Sequence, residues 1–125
     1  MENKQQQILL AEDSEIAKRI IVHKLESENY SVVHLATGEN VVETVLELKP
    51  ALIILDLLLP IRNGLTILRE LKSNPASLNI PVIIFTTNNN EEMLNSALEL
   101  GAVDYILKPF STLEMMAKIK KYTSV

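Results

Sequence analysis

The run Ala51-Leu52-Ile53-Ile54-Leu55, closed by Asp56, constrains this chain more than any other stretch. Five consecutive apolar residues are too few for a buried helix and too unbroken for a strand with one wet face. The pattern therefore predicts a strand covered on both sides. Such strands lie in the middle of parallel sheets, whose crossover connections are usually helices. A carboxylate at the strand's end then falls at the carboxyl edge of the sheet, where open α/β folds place their ligand crevices. Asp56 is the first candidate for chemistry, against the plainer alternative that it only ends the strand or caps the next turn.

The remaining residues supply the partners that such a strand requires. Residues 8–11 form a short apolar run stopped by Glu12 and Asp13, a first strand. Ser14 then caps a helix over residues 15–27, whose Ile16, Ile20, Ile21 and Leu25 recur at helical spacing. Residues 30–36 are rich in strand-forming types and lead to a turn at Thr37-Gly38. Val41, Val42, Val45, Leu46 and Leu48 carry a second helix that Pro50 ends. After the central strand, residues 60–64 read as a loop, and Leu65, Ile67, Leu68 and Leu71 as a third helix ending near Pro75.

Residues 81–87 are a fourth strand that stops in hydroxyls, followed by the polar Asn88-Asn89-Asn90. Leu94, Ala97, Leu98 and Gly101 then share one face of a fourth helix closed by that glycine. Residues 103–107 make the last strand, and Lys108-Pro109 follows. Ser111-Thr112-Leu113-Glu114 matches a capping box that opens a helix carrying Met115, Ile119 and Tyr122. Five strands alternating with five helices predict one doubly wound α/β domain over residues 1–125, with no internal boundary or repeat.

Composition narrows the partners. A net charge of -4 over 125 residues argues against direct contact with nucleic acid or an anionic membrane, since both need clustered Lys and Arg. Lys118, Lys120 and Lys121 are the one basic concentration, read as solvating and complementing a helix end. Without cysteine there is neither a disulfide framework nor a thiolate metal site. The first seven residues lack the apolar core of a signal peptide, and no apolar run approaches the roughly 20 residues of a membrane helix. The expectation is a cytoplasmic protein.

In a parallel sheet all carboxyl ends share one edge, so Glu12, Asp13, Asp56, Thr86 and Lys108 are predicted to converge there. Three adjacent carboxylates raise one another's pKa, and a hard divalent cation relieves the conflict. Magnesium takes oxygen ligands, keeps several waters and accepts phosphate oxygens, which suits this set better than zinc or copper. A carboxylate held beside a cation, an ammonium and a hydroxyl suits attack on phosphorus, giving an acyl phosphate on Asp56. The added charge could then reorganise nearby loops and make the protein a switch.

Several motifs, in order and at these separations, carry a resemblance. They are residues 9–14 with Glu12-Asp13, Asp56 spaced from Pro60 and Gly64, residues 81–86, residues 97–102, and Tyr105-Ile106-Leu107-Lys108-Pro109-Phe110. Over nearly its whole length the sequence resembles the receiver domain of two-component response regulators. The resemblance implies a flavodoxin-like sheet of strand order 2-1-3-4-5 with five helices. It also implies Mg2+ held by Asp13, Asp56 and the backbone carbonyl of Leu58, with Glu12 acting through water. Asp56 would be the phosphoacceptor, served by a sensor histidine kinase or a histidine phosphotransfer protein, with Lys108 and Thr86 assisting. Thr86 and Tyr105 would form a switch pair, and the Lys108–Pro109 bond would be cis. The surface between Glu91 and Tyr122 would meet a downstream protein.

On this reading the protein is not an enzyme, turning over only its own phosphoryl group. It is expected to stand alone, with a piece of a longer regulator or hybrid kinase as the alternative.

Some positions depart from the family's pattern. Leu59 replaces a common methionine, Ala51 a frequent aspartate and Thr87 a small residue, while Leu58 and Asn88 flank the site where phosphoryl lifetime is tuned. His23 and His34 lack partners at metal-ligand spacing and read as surface or strand residues. Two other readings compete: a phosphorylation-independent interaction domain, and a magnesium-dependent phosphohydrolase. Leu58 disfavours the second, because haloacid-dehalogenase-like phosphatases carry their acid/base aspartate there. A nucleotide switch is disfavoured further, since three glycines cannot assemble a P-loop.

Overall fold

The computed structural model describes residues 5–87 and 89–123. Its elements, in chain order, are β1 (Gln7–Ala11), α1 (Glu15–Ser27), β2 (Ser31–Leu35), α2 (Val41–Leu48), β3 (Leu52–Asp56), α3 (Gly64–Lys72), β4 (Val82–Thr87), α4 (Glu91–Leu100), β5 (Asp104–Lys108) and α5 (Thr112–Thr123). The strands form one sheet in the order β2-β1-β3-β4-β5, and every pairing is parallel. Every residue of β3 is buried, as its unbroken apolar run requires. At the sheet's edge, β2 is only half-buried along its length, which is why its sequence carries Ser31 and His34 among the valines.

The period of two along each strand divides the core into two layers. Leu9, Ala11, Ile53, Leu55, Val82 and Ile84 face one way, toward Val41 and Val45 of α2, Ile67, Leu68 and Leu71 of α3, and Ala97 of α4. Ile8, Leu10, Leu52, Ile54, Ile83 and Phe85 face the other way, toward Ile21 and Leu25 of α1 and Met115, Met116 and Ile119 of α5. Each Val, Leu, Ile, Phe or Met side chain among them, withdrawn from water, contributes about 1.5–3 kcal/mol before its ordering entropy is counted. From β1 the chain moves out to β2 and returns past β1 to β3. The winding thus reverses between β1 and β3, and a crevice opens at their carboxyl ends.

The helices correct several details. On α1, Ile16 and Ile20 are 75% and 44% exposed, and the inward stripe is Ala17, Ile21 and Leu25. The apolar pattern was wider than the strip that the sheet can cover. On α4, Ala97 faces the core while Leu98 is 37% exposed and stays outside it. Gly64 belongs to α3 as its first residue, behind an Asn63 cap whose Oδ1 accepts from Thr66 N at 2.9 Å. Ser111 Oγ accepts from Glu114 N at 3.3 Å, one half of the capping box. The lysines of α5 do not act as one cluster. Lys118 pairs with Asp104 at 3.3 Å and so ties α5 to β5, while Lys120 pairs with Glu28 at 2.9 Å beside the end of α1. Among the described residues no helix is long and apolar enough to cross a membrane.

Candidate functional site

Three strand ends meet at the crevice. β1 runs into Glu12 and Asp13, β3 ends on Asp56, and β5 ends on Lys108. One carboxylate oxygen from each of Glu12, Asp13 and Asp56 lies within 4.8 Å of the others. Glu12 and Asp56 are buried while Asp13 is exposed at the mouth. Lys108 stands two strands away from Asp56, and its side chain crosses β4 over the Phe85 ring, with Nζ 4.7 Å from the ring centroid. Phe110 packs edge-on against that ring at 5.0 Å. The ammonium finishes 2.9 Å from Asp56 Oδ2 and 2.9 Å from Glu12 Oε1.

Asp56 is held from both sides, since Oδ2 accepts from Lys108 and Oδ1 accepts from Leu58 N at 2.9 Å. Leu58 is 53% exposed, so its backbone serves the site while its side chain faces solvent. Gly64 makes this seating possible. A Cβ there would sit 2.5 Å from the Asp56 carbonyl oxygen and 2.7 Å from Leu57 Cα, so only glycine lets α3 start against the end of β3.

Glu12 Oε2 accepts from Ser14 N at 2.9 Å, and His34 Nε2 lies 2.7 Å from the Glu12 carbonyl oxygen. Burial pushes the Glu12 carboxyl above the ordinary carboxylate range and the Asp56 charge adds to that, against the Lys108 ammonium and the Ser14 N–H. Burial alone would depress Lys108. The two carboxylates outweigh it and hold the ammonium above the ordinary lysine value.

Glu12 Oε1 is buried, and the Lys108 ammonium at 2.9 Å is its one polar partner among the described residues, which leaves a lone pair unused. Such an oxygen calls for a water or a cation. The donors gathered here are all oxygens, two of them withdrawn from bulk solvent, which fits a hard divalent ion and no soft one. Such an ion would sit among Glu12, Asp13 and Asp56.

Thr86 is buried on β4, in the register step beyond Phe85, which pairs with Asp56. Its Oγ1 accepts from Asn90 Nδ2 at 3.2 Å, and the same amide donates to Thr87 Oγ1 at 2.8 Å. Thr87 in turn donates to Asn89 Oδ1 at 2.5 Å. Thr87 therefore fastens the loop ahead of α4. Tyr105, half-buried, lines a groove of about 350 Å³ with Thr87, Asn90, Leu94 and Leu98, and Lys118 Nζ sits 4.7 Å from its ring centroid. The Lys108–Pro109 bond is cis. Asn88 lies outside the described residues.

Sequence reasoning named the five strand-end groups and missed their supports. Phe85 carries Lys108, Asn90 holds Thr86, and His34 has a partner after all, in a backbone oxygen rather than a metal. An aromatic in β4 just before the threonine was the one visible signal, since a lysine crossing a strand needs a face to lie on.

Comparison with known proteins agrees with this geometry. The family model of the response regulator receiver domain matches residues 8–120. The phosphate regulon transcriptional regulatory proteins PhoB of Rhizobium meliloti and Pseudomonas aeruginosa are each 34% identical over 113 residues, 90% of this chain. The chain spans about half the length of these curated relatives, 50% and 49%. The receiver domain of a Pseudomonas aeruginosa sensor histidine kinase, solved with magnesium coordinated in its active site cleft, superposes with a TM-score of 0.89. It is 27% identical and covers 98% of this chain and 100% of that one. The receiver domain of a signal transduction histidine kinase from Syntrophus aciditrophicus gives 0.87 at 33% identity, covering 95% of this chain and 90% of that one. With the sheet order, the acidic crevice and the family match in agreement, this chain belongs to the response regulator receiver domains of two-component signalling.

Proposed function

We propose that Asp56 accepts a phosphoryl group from a phosphohistidine on a sensor histidine kinase or a histidine phosphotransfer protein. The observation that carries this is the placement of Asp56, nearly buried, fixed through both oxygens and next to the Lys108 ammonium at the crevice floor. A lone pair of the carboxylate attacks phosphorus as the P–N bond breaks, and that bond's electrons stay on the donor's imidazole nitrogen. Lys108 follows the negative charge onto the transferring oxygens, and Thr86 offers its hydroxyl proton to one of them. Magnesium, held by the acidic set, would neutralise charge on the phosphoryl oxygens.

The protein would thus turn over only its own phosphoryl bond, without processing a free substrate. We assign the setting to the cytoplasm, where phosphohistidine donors draw on ATP.

The donor has a place to rest. Beside Lys108 a cavity of about 620 Å³ is lined by Ile16, Ala17, Ile20, Pro109 and Phe110. The two isoleucines that the core leaves in solvent give this wall its apolar area, and a helix bearing the phosphohistidine fits along it. The signal would leave by the surface between Glu91 and Tyr122, toward a protein partner.

With magnesium and a small phosphodonor such as acetyl phosphate, the wild type should gain one phosphoryl group by mass, and Asp56→Asn none. Equal labelling of both would place the phosphoryl group elsewhere and remove Asp56 from the reaction, and labelling of neither would favour a phosphorylation-independent interaction domain.

A further inference from the structure

We propose that Asn90 is a positioning residue of this site with two alternative duties. It holds the Thr86 hydroxyl in the unphosphorylated protein, and it caps α4 once Thr86 lets go. This rests on Asp56 being the phosphoacceptor and on Thr86 turning toward the new phosphoryl group.

The starting point is a cap that is not made. Asn90 occupies the N-cap position of α4, where asparagine is among the most favoured residues because its Oδ1 can accept an orphan N–H of the first turn. Ser14 does this for α1 and Asn63 for α3, at 3.2 and 2.9 Å. Asn90 makes no such bond. Asn40, ahead of α2, caps nothing either, so an idle cap is not by itself informative. What sets Asn90 apart is where its amide has gone: both of its bonds run backward, to the hydroxyls of Thr86 and Thr87. Glu91 and Glu92, favourable charges at a helix start, support the first turn meanwhile.

The two duties exclude each other. To cap α4 the side chain must swing toward Glu92 N and Met93 N, away from β4. Thr86 that leaves for an anionic oxygen withdraws one of the two acceptors that keep the amide turned back, and the Thr87 bond alone then competes with the cap. The exchange is close to balanced, because a neutral hydrogen bond and an N-cap are of similar worth, whereas a hydroxyl bond to an ionised oxygen is roughly twice as strong. Phosphorylation therefore decides the position. Thr87, where the family usually has a small residue, supplies the second hydroxyl that aims the amide. The device thus belongs to this chain's own residues.

The test uses the whole chain, labelled with nitrogen-15, and beryllofluoride with magnesium as the phosphoryl probe. In the wild type, saturation should shift the Asn90 side-chain amide signals and slow hydrogen exchange at Glu92 and Met93. Asn90→Ser keeps a capping oxygen but is too short to reach Thr86. It should protect those two amides before the probe is added and bind the probe about fivefold tighter, the equivalent of one neutral hydrogen bond. Asn90→Ala lacks both duties, so it should bind the probe as tightly as the serine variant while leaving the Glu92 and Met93 amides unprotected with and without it.

A serine variant that binds no tighter, or a saturated wild type whose Asn90 and α4 signals do not move, overturns the two-duty assignment and leaves the phosphoacceptor standing. A wild type that takes up no probe overturns both.

Discussion

The acidic edge is bordered by two surfaces of contrasting construction. On one side α1 and the segment after β5 present Ile16, Ile20, Pro109 and Phe110, apolar groups backed by a layer in which Ile21, Phe85 and Met115 are wholly buried. On the other side Thr86, Thr87, Asn89 and Asn90 are joined hydroxyl to amide, and Tyr105 lies in a groove with Leu94 and Leu98. An apolar wall on a packed core has one arrangement, because moving it opens voids that cost contact energy. A chain of neutral hydrogen bonds at the surface has several arrangements of nearly equal free energy. Under the proposed function the difference becomes a division of labour, in which the first surface would be recognised by the donor and the second would change on phosphorylation.

Lys108 belongs to both borders, so its removal should have the largest effect and should not discriminate between them. Lys108→Met leaves Glu12 and Asp56 facing each other without an ammonium and withdraws charge stabilisation from the transferring oxygens. Initial rates of phosphorylation should fall about a hundredfold, with acetyl phosphate and with a phosphohistidine donor alike. A loss confined to one donor would place Lys108 on a single border and break the comparison at its centre.

Ile16→Glu combined with Ile20→Glu should separate the borders. Transfer from a phosphohistidine protein is expected to drop about tenfold, as for the loss of a central apolar contact, while the rate with acetyl phosphate stays within twofold. Both residues already lie in solvent, so the fold should tolerate the change. If both rates fell together, the apolar wall would be shaping the site rather than receiving a partner.

The sequence exposed one half of this contrast far better than the other. The alternation of strands and helices and the convergence of Glu12, Asp13, Asp56 and Lys108 follow from runs of apolar residues with polar ends, a one-dimensional signal, whereas the strand order came from the resemblance to receiver domains. Ile16 and Ile20 were misread as core because helical spacing reports a direction and not the width of the sheet that covers it. Asn90 was invisible for another reason. An asparagine before a helix reads as a cap, and nothing in the order of residues says that its amide has turned back to two threonines. Gly64 was legible only as loop punctuation, although its lack of a Cβ is what lets α3 meet the backbone of Asp56.

The smallest effect concerns the floor that the two borders share. In the folded protein the Glu12 carboxyl titrates above its ordinary value of 4.5, through burial first and the Asp56 charge next. The native state therefore holds this proton more tightly than the unfolded chain does. The resulting stability is present below the unfolded pKa and is lost as pH rises through the folded one. Glu12→Gln cannot titrate. With a chelator present, its stability relative to the wild type should increase as pH climbs through that window, read from urea midpoints at constant slope. Magnesium favours the ionised carboxylates and should draw the window back toward 4.5. A relative stability that stays flat with pH would mean that Glu12 is ionised without cost, satisfied by water, and that the crevice floor needs no cation to settle its charge.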